Sequence, residues 1–96
     1  MDTPARKTVT VRIEGRVQGV YYRAWTEQTA RRLDLDGWVR NRRDGSVEAV
    51  FSGHTFQVDE MLRRCADGPK DARVTKVTVT DEGGAPPTGF QVLPTH

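Results

Sequence analysis

Two hydrophobic periodicities alternate along the 96 residues of this chain, and their order constrains the fold more than any single residue does. Apolar residues at every second position indicate strands, whereas apolar residues at intervals of three and four indicate helices. The pattern predicts a strand at 8–14, a helix at about 22–34, strands at 38–42 and 46–52, a second helix between Thr55 and Gly68, and strands at 74–80 and 90–93. Thr55 is the predicted N-cap of the second helix, and Gly68-Pro69 is predicted to end it.

The order β-α-β-β-α-β with a short terminal strand predicts an α+β fold. It suits the ferredoxin-like, split βαβ sandwich, an antiparallel sheet with both helices on one face. Asp44-Gly45, between the second and third predicted strands, is a hairpin signal because glycine accepts the positive φ of such turns. We expect residues 1–6 to form a flexible tail and residues 7–96 to form a single domain.

The segment that joins the first predicted strand to the first helix is Gly15-Arg16-Val17-Gln18-Gly19-Val20-Tyr21-Tyr22-Arg23. Two glycines four positions apart allow a short loop whose backbone N–H groups point inward. Such a concavity binds anions, and the N-terminus of the following helix adds positive potential. Arg23 supplies a permanently charged, fork-shaped donor that matches a phosphate. The segment therefore predicts a phosphate cradle.

Asn41 ends the second predicted strand and shares a strand face with Val39, which we expect to point toward the helices. In the predicted topology the first two strands run parallel with the third between them, so Asn41 and the cradle meet at one edge of the sheet. An amide oxygen accepts a hydrogen bond from water but is a poor base. Phosphoryl transfer through a loose transition state needs little base catalysis. Because no general acid is visible, the leaving group must depart without a proton, as the carboxylate of a carboxylic–phosphoric anhydride does.

The other chemistry-bearing residues point away from metal or redox chemistry. Cys65 is the single cysteine, which excludes an intrachain disulfide, and it lies on an apolar helical stripe. His54 and His96 are far from the cradle in sequence, and no Cys or His cluster has metal-ligand spacing. We therefore expect no metal and no cofactor. The chain has neither a stretch of membrane-spanning length nor an apolar signal core, so we expect a cytoplasmic protein without a membrane partner.

Two segments resemble the two signatures of the acylphosphatase family. The first is Ile-Glu-Gly-Arg-Val-Gln-Gly-Val-Tyr-Tyr-Arg at 13–23, and the second is Gly-Trp-Val-Arg-Asn at 37–41, followed by Gly-Ser-Val at 45–47 and by Gly53. The resemblance covers nearly the whole chain. It implies a ferredoxin-like sandwich that hydrolyses acyl phosphates to a carboxylate and inorganic phosphate without a metal. It also implies that Arg23 grips the phosphoryl group, that Asn41 orients the attacking water, and that backbone N–H groups of residues 16–20 complete the cradle.

Two positions depart from the family pattern, and two others have alternative interpretations. Tyr22 stands where the family usually has phenylalanine or methionine, and its hydroxyl needs a partner if it is buried. Asp34 stands where glycine is common, and aspartate tolerates the left-handed geometry of a helix end. Trp25 either contacts the acyl part of a substrate or packs beneath the tail. Gln18 either maintains the loop geometry or contacts the phosphate.

The sequence leaves three classes of function to consider. The first is an acylphosphatase that acts on a small acyl phosphate as a monomer. The second is a regulatory module that binds an anion in the cradle without turnover. The third is a nucleic-acid binder of similar shape, but the net charge is only +2 and the Lys/Arg-Gly-Phe/Tyr motif of RNA readers is absent. The presence of both Arg23 and Asn41 favours turnover.

Overall fold

The sheet order explains how distant parts of this chain come together. The computed structural model describes residues 5–96, and its strands follow the order β4-β1-β3-β2-β5. In chain order the elements are β1 (Arg6–Arg16), α1 (Tyr22–Arg32), β2 (Asp36–Asn41), β3 (Val47–His54), α2 (Thr55–Asp67), β4 (Arg73–Glu82) and β5 (Phe90–Val92). The predicted order of strands and helices and the ferredoxin-like class are confirmed.

The central strand β3 is antiparallel to both of its neighbours, β1 and β2. These two strands therefore run in the same direction, and their carboxyl ends lie at one edge of the sheet, as predicted. β4 is antiparallel to β1, so the antiparallel pattern holds through β1–β4. β5 adds a parallel pair with β2, in which Gly37 faces Phe90 and Val39 faces Val92, so the sheet is mixed. The reason is that β4 ends at the same edge of the sheet at which β2 begins. The chain therefore enters β5 from that edge and runs in the same direction as β2.

The hydrophobic core lies between one face of the sheet and the two helices. Alternate residues of β1 and β3 point into it and are nearly fully buried, namely Val9, Val11, Ile13, Val47, Ala49 and Phe51. The stripe predicted for the second helix supplies three further buried side chains, namely Val58, Met61 and Cys65. The apolar faces of the strands and of the helices therefore pack against each other in one layer, because each face shields the other from water.

The ends of several elements differ from the predicted boundaries. Residues 1–4 lie outside the described residues, but Arg6 already belongs to β1 and pairs with His54, so the predicted tail of residues 1–6 is too long. α2 begins at Thr55, and its N-cap is His54 rather than the predicted Thr55. The backbone N–H of Thr55 donates instead to the carbonyl of Ala5, which anchors the start of α2 to the start of β1.

Each of the two helices ends shortly before a residue with a positive φ. α1 ends at Arg32, two residues before the predicted end, and Asp34 follows with φ of 56°. Asp34 thus adopts the left-handed geometry that aspartate was expected to tolerate at this helix end. α2 ends before Gly68, as predicted, and this glycine has φ of 68°. Its absent side chain leaves room for Tyr22, since a Cβ there would lie 2.7 Å from the Tyr22 ring.

On the face of the sheet away from the helices, charged side chains pair with one another and cover the Trp38 ring. Arg40 lies over the Trp38 ring, with its guanidinium carbon 4.8 Å from the ring centroid. Glu48 accepts hydrogen bonds from Arg40 at 2.8 Å and from Arg42 at 3.1 Å. The aromatic ring on this face is therefore already covered, unlike the open stacking platforms of RNA-binding sheets.

Gly37 provides a test of the close strand pairing that positions β2. A Cβ on Gly37, whose φ is +138°, would lie 1.8 Å from the carbonyl oxygen of Val50. We expect Gly37→Ala to lower the free energy of unfolding by about 3 kcal/mol or more, through overlap and backbone strain together. Gly45→Ala is the matched control, because Gly45 also has a positive φ but has nothing within 4 Å of its Cβ position. The control should lose only about 1 kcal/mol, and equal losses in urea unfolding would contradict this account.

Candidate active site

A cavity of about 360 Å³ opens at the sheet edge where β1 and β2 end. It is lined by Val17, Gln18, Gly19, Tyr21, Tyr22, Arg23, Ala24, Glu27, Asn41 and Val92. The residues come from the β1–α1 loop, the first turns of α1, the end of β2 and the end of β5. The fold thus brings Arg23 and Asn41 to one cavity, although 18 positions separate them in the sequence.

Of the six residues predicted to form the cradle, three line the cavity, namely Val17, Gln18 and Gly19. Gly19 has φ of 71°, which bends the loop between the strand and the helix. Within residues 5–96, the backbone N–H groups of residues 17–20 donate no hydrogen bond to a protein acceptor. Unpaired backbone donors in a curved loop at a helix N-terminus are the elements of an anion-binding site.

The other three predicted cradle residues, Gly15, Arg16 and Val20, do not line the cavity. Gly15 and Arg16 are the last residues of β1 and pair with β4. A Cβ on Gly15 would lie 2.1 Å from the carbonyl oxygen of Arg73, so close strand packing is what requires this glycine. The Val20 side chain is buried in the core, where it anchors the end of the loop. These residues therefore shape the loop, and of the three only the Val20 N–H belongs to the unpaired backbone donors.

Gln18 fastens the loop to the turn between β2 and β3. Its Nε2 donates to the carbonyl of Arg42 at 2.7 Å and to the carbonyl of Ser46 at 2.8 Å. Both amide protons are thereby occupied, so this side chain maintains the loop geometry, the first of its two interpretations. Because the same turn follows Asn41, Gln18 also couples the loop to the end of β2.

Arg23 lies in the first turn of α1 and is half-buried at the cavity wall. Six other arginines have carboxylate partners: Arg12, Arg31, Arg40, Arg42, Arg63 and Arg64. Among residues 5–96, the Arg23 guanidinium has no such partner. A half-buried cation at a helix N-terminus, where the macrodipole is also positive, is stabilised by an anion that enters the cavity.

Asn41 presents an acceptor that nothing in the described part of the chain satisfies. Its Oδ1 is buried and is the one buried side-chain polar atom of residues 5–96 without a hydrogen-bond partner. Its backbone is fixed, because the residue pairs with Val47 in the sheet and its carbonyl accepts from the N–H of His96. Leaving a buried acceptor unpaired costs about 1–3 kcal/mol. Because Asn41 also lines the cavity, its unpaired amide oxygen is a candidate acceptor for a donor bound there.

Tyr22 has the partner that its buried hydroxyl requires. Its Oη donates to the backbone carbonyl of Cys65 in the last turns of α2, at 2.7 Å. Burial raises the pKa of Tyr22 far above its ordinary value, so the phenol remains a donor. Because Tyr22 directly precedes Arg23, this bond fixes the start of α1 against α2. Trp25 packs on the core, with its ring centroid 5.3 Å from that of Tyr22, and does not line the cavity, which favours its packing role.

Five cavity residues were not predicted as site residues from the sequence: Tyr21, Tyr22, Ala24, Glu27 and Val92. Tyr21 belongs to the segment of the glycine loop, and its position two residues before Arg23 was the available signal. It is the N-cap of α1 with φ of 70°, an unusual conformation for a non-glycine residue. Val92 carried no signal, because only the parallel pairing of β5 with β2 brings it to the cavity.

The remaining candidates for reactive chemistry lie outside the cavity. Burial raises the pKa of the Cys65 thiol to about 12, so it is an inert core group. His54 is an exposed helix cap, and the backbone of His96 continues the pairing along β2. Within residues 5–96, no three His, Cys, Asp or Glu residues are grouped so that they could hold a metal ion. In the described part of the chain, no helix is long and apolar enough to cross a membrane.

Comparison with known proteins gives a consistent family assignment. The sequence model of one protein family, Acylphosphatase, matches residues 9–92. An acylphosphatase of Rhizorhabdus wittichii is 48% identical over 94 residues, which cover 98% of this chain and 95% of that protein. An acylphosphatase of Rhodospirillum rubrum is 51% identical over 88 residues, which cover 92% of this chain and 97% of that protein.

The solved structures agree with the sequence relatives. An acylphosphatase structure from Coxiella burnetii superposes with a TM-score of 0.87 at 30% identity, covering 92% of this chain and 93% of that one. The acylphosphatase of Bacillus subtilis gives a TM-score of 0.84 at 28% identity, covering 93% and 99%. The family match, at residues 9–92, spans both signature segments and all the residues that line the cavity. This chain belongs to the acylphosphatase family of hydrolases.

Proposed function

We propose that this protein hydrolyses acyl phosphates to a carboxylate and inorganic phosphate, with Arg23 holding the phosphoryl group and Asn41 orienting the water. The single observation that carries the proposal is the unpartnered, buried Oδ1 of Asn41 in the same cavity as a guanidinium without a carboxylate partner. The substrate is a small molecule, and the proposed enzyme acts as a cytoplasmic monomer without a cofactor.

The phosphoryl group is bound by charge and by oriented dipoles. The Arg23 guanidinium offers two parallel N–H donors to two phosphoryl oxygens. The unpaired backbone N–H groups of the loop surround the remaining oxygens, and the N-terminus of α1 adds its positive potential. These donors are fixed before the substrate arrives, so little reorganisation is needed as charge shifts in the transition state.

Asn41 completes the site on the side of the nucleophile. Its Oδ1 accepts a hydrogen bond from one water molecule and turns the oxygen lone pair of that water toward phosphorus. A P–O bond forms to the water, and the P–O bond to the acyl oxygen breaks with its electron pair. The carboxylate leaves unprotonated, because its conjugate acid has a pKa of about 4. Both protons of the water remain with the product, which forms as dihydrogen phosphate, so the step needs no general acid.

The buried acceptor also separates turnover from simple anion binding. An amide oxygen directed at a bound anion is repulsive unless a donor such as water lies between them. A module that only binds anions gains nothing from such an oxygen and bears the cost of leaving it unpaired. Asn41 therefore supports hydrolysis over the alternative of a non-catalytic regulatory module.

Asn41→Ala tests the proposed hydrolysis directly. The wild-type protein should release phosphate from acetyl phosphate, but not from p-nitrophenyl phosphate, with or without a chelator. In the variant we expect kcat to fall by about 100-fold to 1,000-fold, because a positioned hydrogen bond to the nucleophile is lost. Inhibition by inorganic phosphate should stay within about threefold, since the anion is held by other groups. A chelator-sensitive wild type, or an equal loss of phosphate binding in the variant, would contradict this assignment.

Arg23→Gln tests the phosphoryl anchor. Removing the charge should abolish both turnover and competitive inhibition by phosphate, because a charge-assisted bidentate contact contributes several kcal/mol. Arg23→Lys keeps the charge without the fork and should recover only part of the affinity. Arg32→Gln is the matched control, because Arg32 is an exposed arginine at the opposite end of the same helix. Turnover by the Arg23→Gln variant within tenfold of wild type would refute the role of this residue.

Gln18→Glu tests whether the loop must be held to the turn between β2 and β3. The carboxylate would face the carbonyl oxygens of Arg42 and Ser46 with no proton to donate. We expect the free energy of unfolding to fall by about 1–3 kcal/mol and KM to rise about tenfold. Gln57→Glu, on α2 and outside the cavity, should change stability by no more than about 0.5 kcal/mol. Equal effects in the two variants, measured by thermal melting and by steady-state kinetics, would show that the anchor is unimportant.

A further inference from the structure

The cavity has a second, apolar part that the proposed hydrolytic step does not use. The described residues include four exposed large hydrophobic side chains: Tyr21, Phe56, Val79 and Val92. Two of them, Tyr21 at 61% exposure and Val92 at 40%, line this one cavity, together with the small residue Ala24. We call Tyr21, Ala24 and Val92 the apolar wall. Exposed apolar groups gathered in a cavity mark a surface that a ligand covers.

The Tyr21 side of the apolar wall is held in place before any substrate binds. The Tyr21 backbone has φ of 70°, a conformation that glycine or asparagine adopts more readily than tyrosine. The phenol hydroxyl accepts a hydrogen bond from Nε2 of Gln28 at 2.6 Å. The two constraints hold the ring between the N-cap of α1 and the second turn of that helix, beside the phosphate loop.

The Val92 side of the apolar wall is held by a side chain of α1 that hydrogen-bonds to β5. Arg31 donates to the backbone carbonyl of Phe90 at 3.0 Å and to the carboxylate of Glu27 at 3.1 Å. This arginine therefore sets the spacing between the helix that carries Ala24 and the strand that carries Val92. The wall is part of the fold rather than a mobile surface.

The charges of the cavity limit what can lie against this wall. Among residues 5–96, Arg23 is the one cation that lines the cavity, and the proposed function assigns it to the phosphoryl group. Glu27 is the one anion of the lining, and its carboxylate is already paired with Arg31. An acyl group with its own negative charge would therefore meet apolar surface and a carboxylate, with no second cation to compensate its desolvation.

We propose that the apolar wall binds the acyl group of the substrate and selects acyl phosphates whose acyl group is uncharged and apolar, such as an aromatic one. The inference rests on the proposed function, because a phosphoryl group on Arg23 places the acyl group within the remainder of the same cavity. Tyr21 and Val92 are then specificity-determining residues, since apolar contact with the acyl group lowers the free energy of the bound substrate and transition state.

The test compares kcat/KM for benzoyl phosphate and acetyl phosphate in matched variants. Taking the ratio of the two values in each variant cancels the different intrinsic reactivities of the two anhydrides. Tyr21→Asn removes the ring but suits the left-handed backbone, and we expect the benzoyl-to-acetyl ratio to fall about tenfold. Tyr21→Phe loses the hydrogen bond to Gln28 but keeps the apolar ring, and the ratio should stay within about threefold of the wild-type value. Val92→Thr, which is nearly isosteric, should lower the ratio several-fold even if Tyr21→Asn folds poorly.

Two variants of exposed apolar residues away from the cavity serve as controls. Phe56→Ser and Val79→Thr should leave the ratio and the activity unchanged. Wild-type kcat/KM should be lower for succinyl phosphate, whose acyl group carries a carboxylate, than for acetyl phosphate. A ratio unchanged in both Tyr21→Asn and Val92→Thr, or a preference for succinyl phosphate, overturns this inference and leaves the proposed hydrolysis intact. Absence of turnover of every acyl phosphate by the wild type overturns the proposed function and this inference with it.

Discussion

The pairing of β3 between β1 and β2 is the constraint on which the rest of the structure depends. Because β3 is antiparallel to both neighbours, β1 and β2 point the same way and end at one edge of the sheet. The loop after β1 carries the unpaired backbone donors, and the last residue of β2 carries the unpaired acceptor. A close approach at Gly37, which has no room for a Cβ, is part of what holds this arrangement.

The cavity concentrates polar groups that the fold leaves unsatisfied. Elsewhere the chain satisfies comparable groups, as Tyr22 does with the carbonyl of Cys65 and Gln18 with the turn between β2 and β3. The buried Asn41 acceptor therefore raises the free energy of the free protein relative to a fully paired one. In the proposed function, a phosphoryl group is the partner of the loop donors and a water molecule is the partner of Asn41. The groups that the fold leaves unpaired are those with which we expect the substrate and its nucleophile to interact.

Rigidity around the cavity comes from contacts that cross between elements. Tyr22 joins the start of α1 to the end of α2, Gln18 joins the loop to the turn between β2 and β3, and Arg31 joins α1 to β5. Each of these side chains lies within or beside the first signature segment or on the helix that follows it. The departure at Tyr22 is thus accommodated, because its hydroxyl caps a carbonyl near the end of α2. This preorganisation lets weak individual interactions act together on a transition state.

The sequence by itself determined the order of strands and helices, the glycine loop, and the presence of Arg23 and Asn41 at the ends of predicted elements. These features are readable because periodicity, turn chemistry and capping are local properties of the chain. Only the tertiary structure decided that β5 pairs parallel to β2 and brings Val92 to the cavity. It also decided that Gln18 donates both amide protons to the carbonyls of Arg42 and Ser46, and that β1 begins as early as Arg6. Those outcomes depend on partners far away in sequence, and nothing in the local pattern of either segment specifies which distant backbone group it will meet.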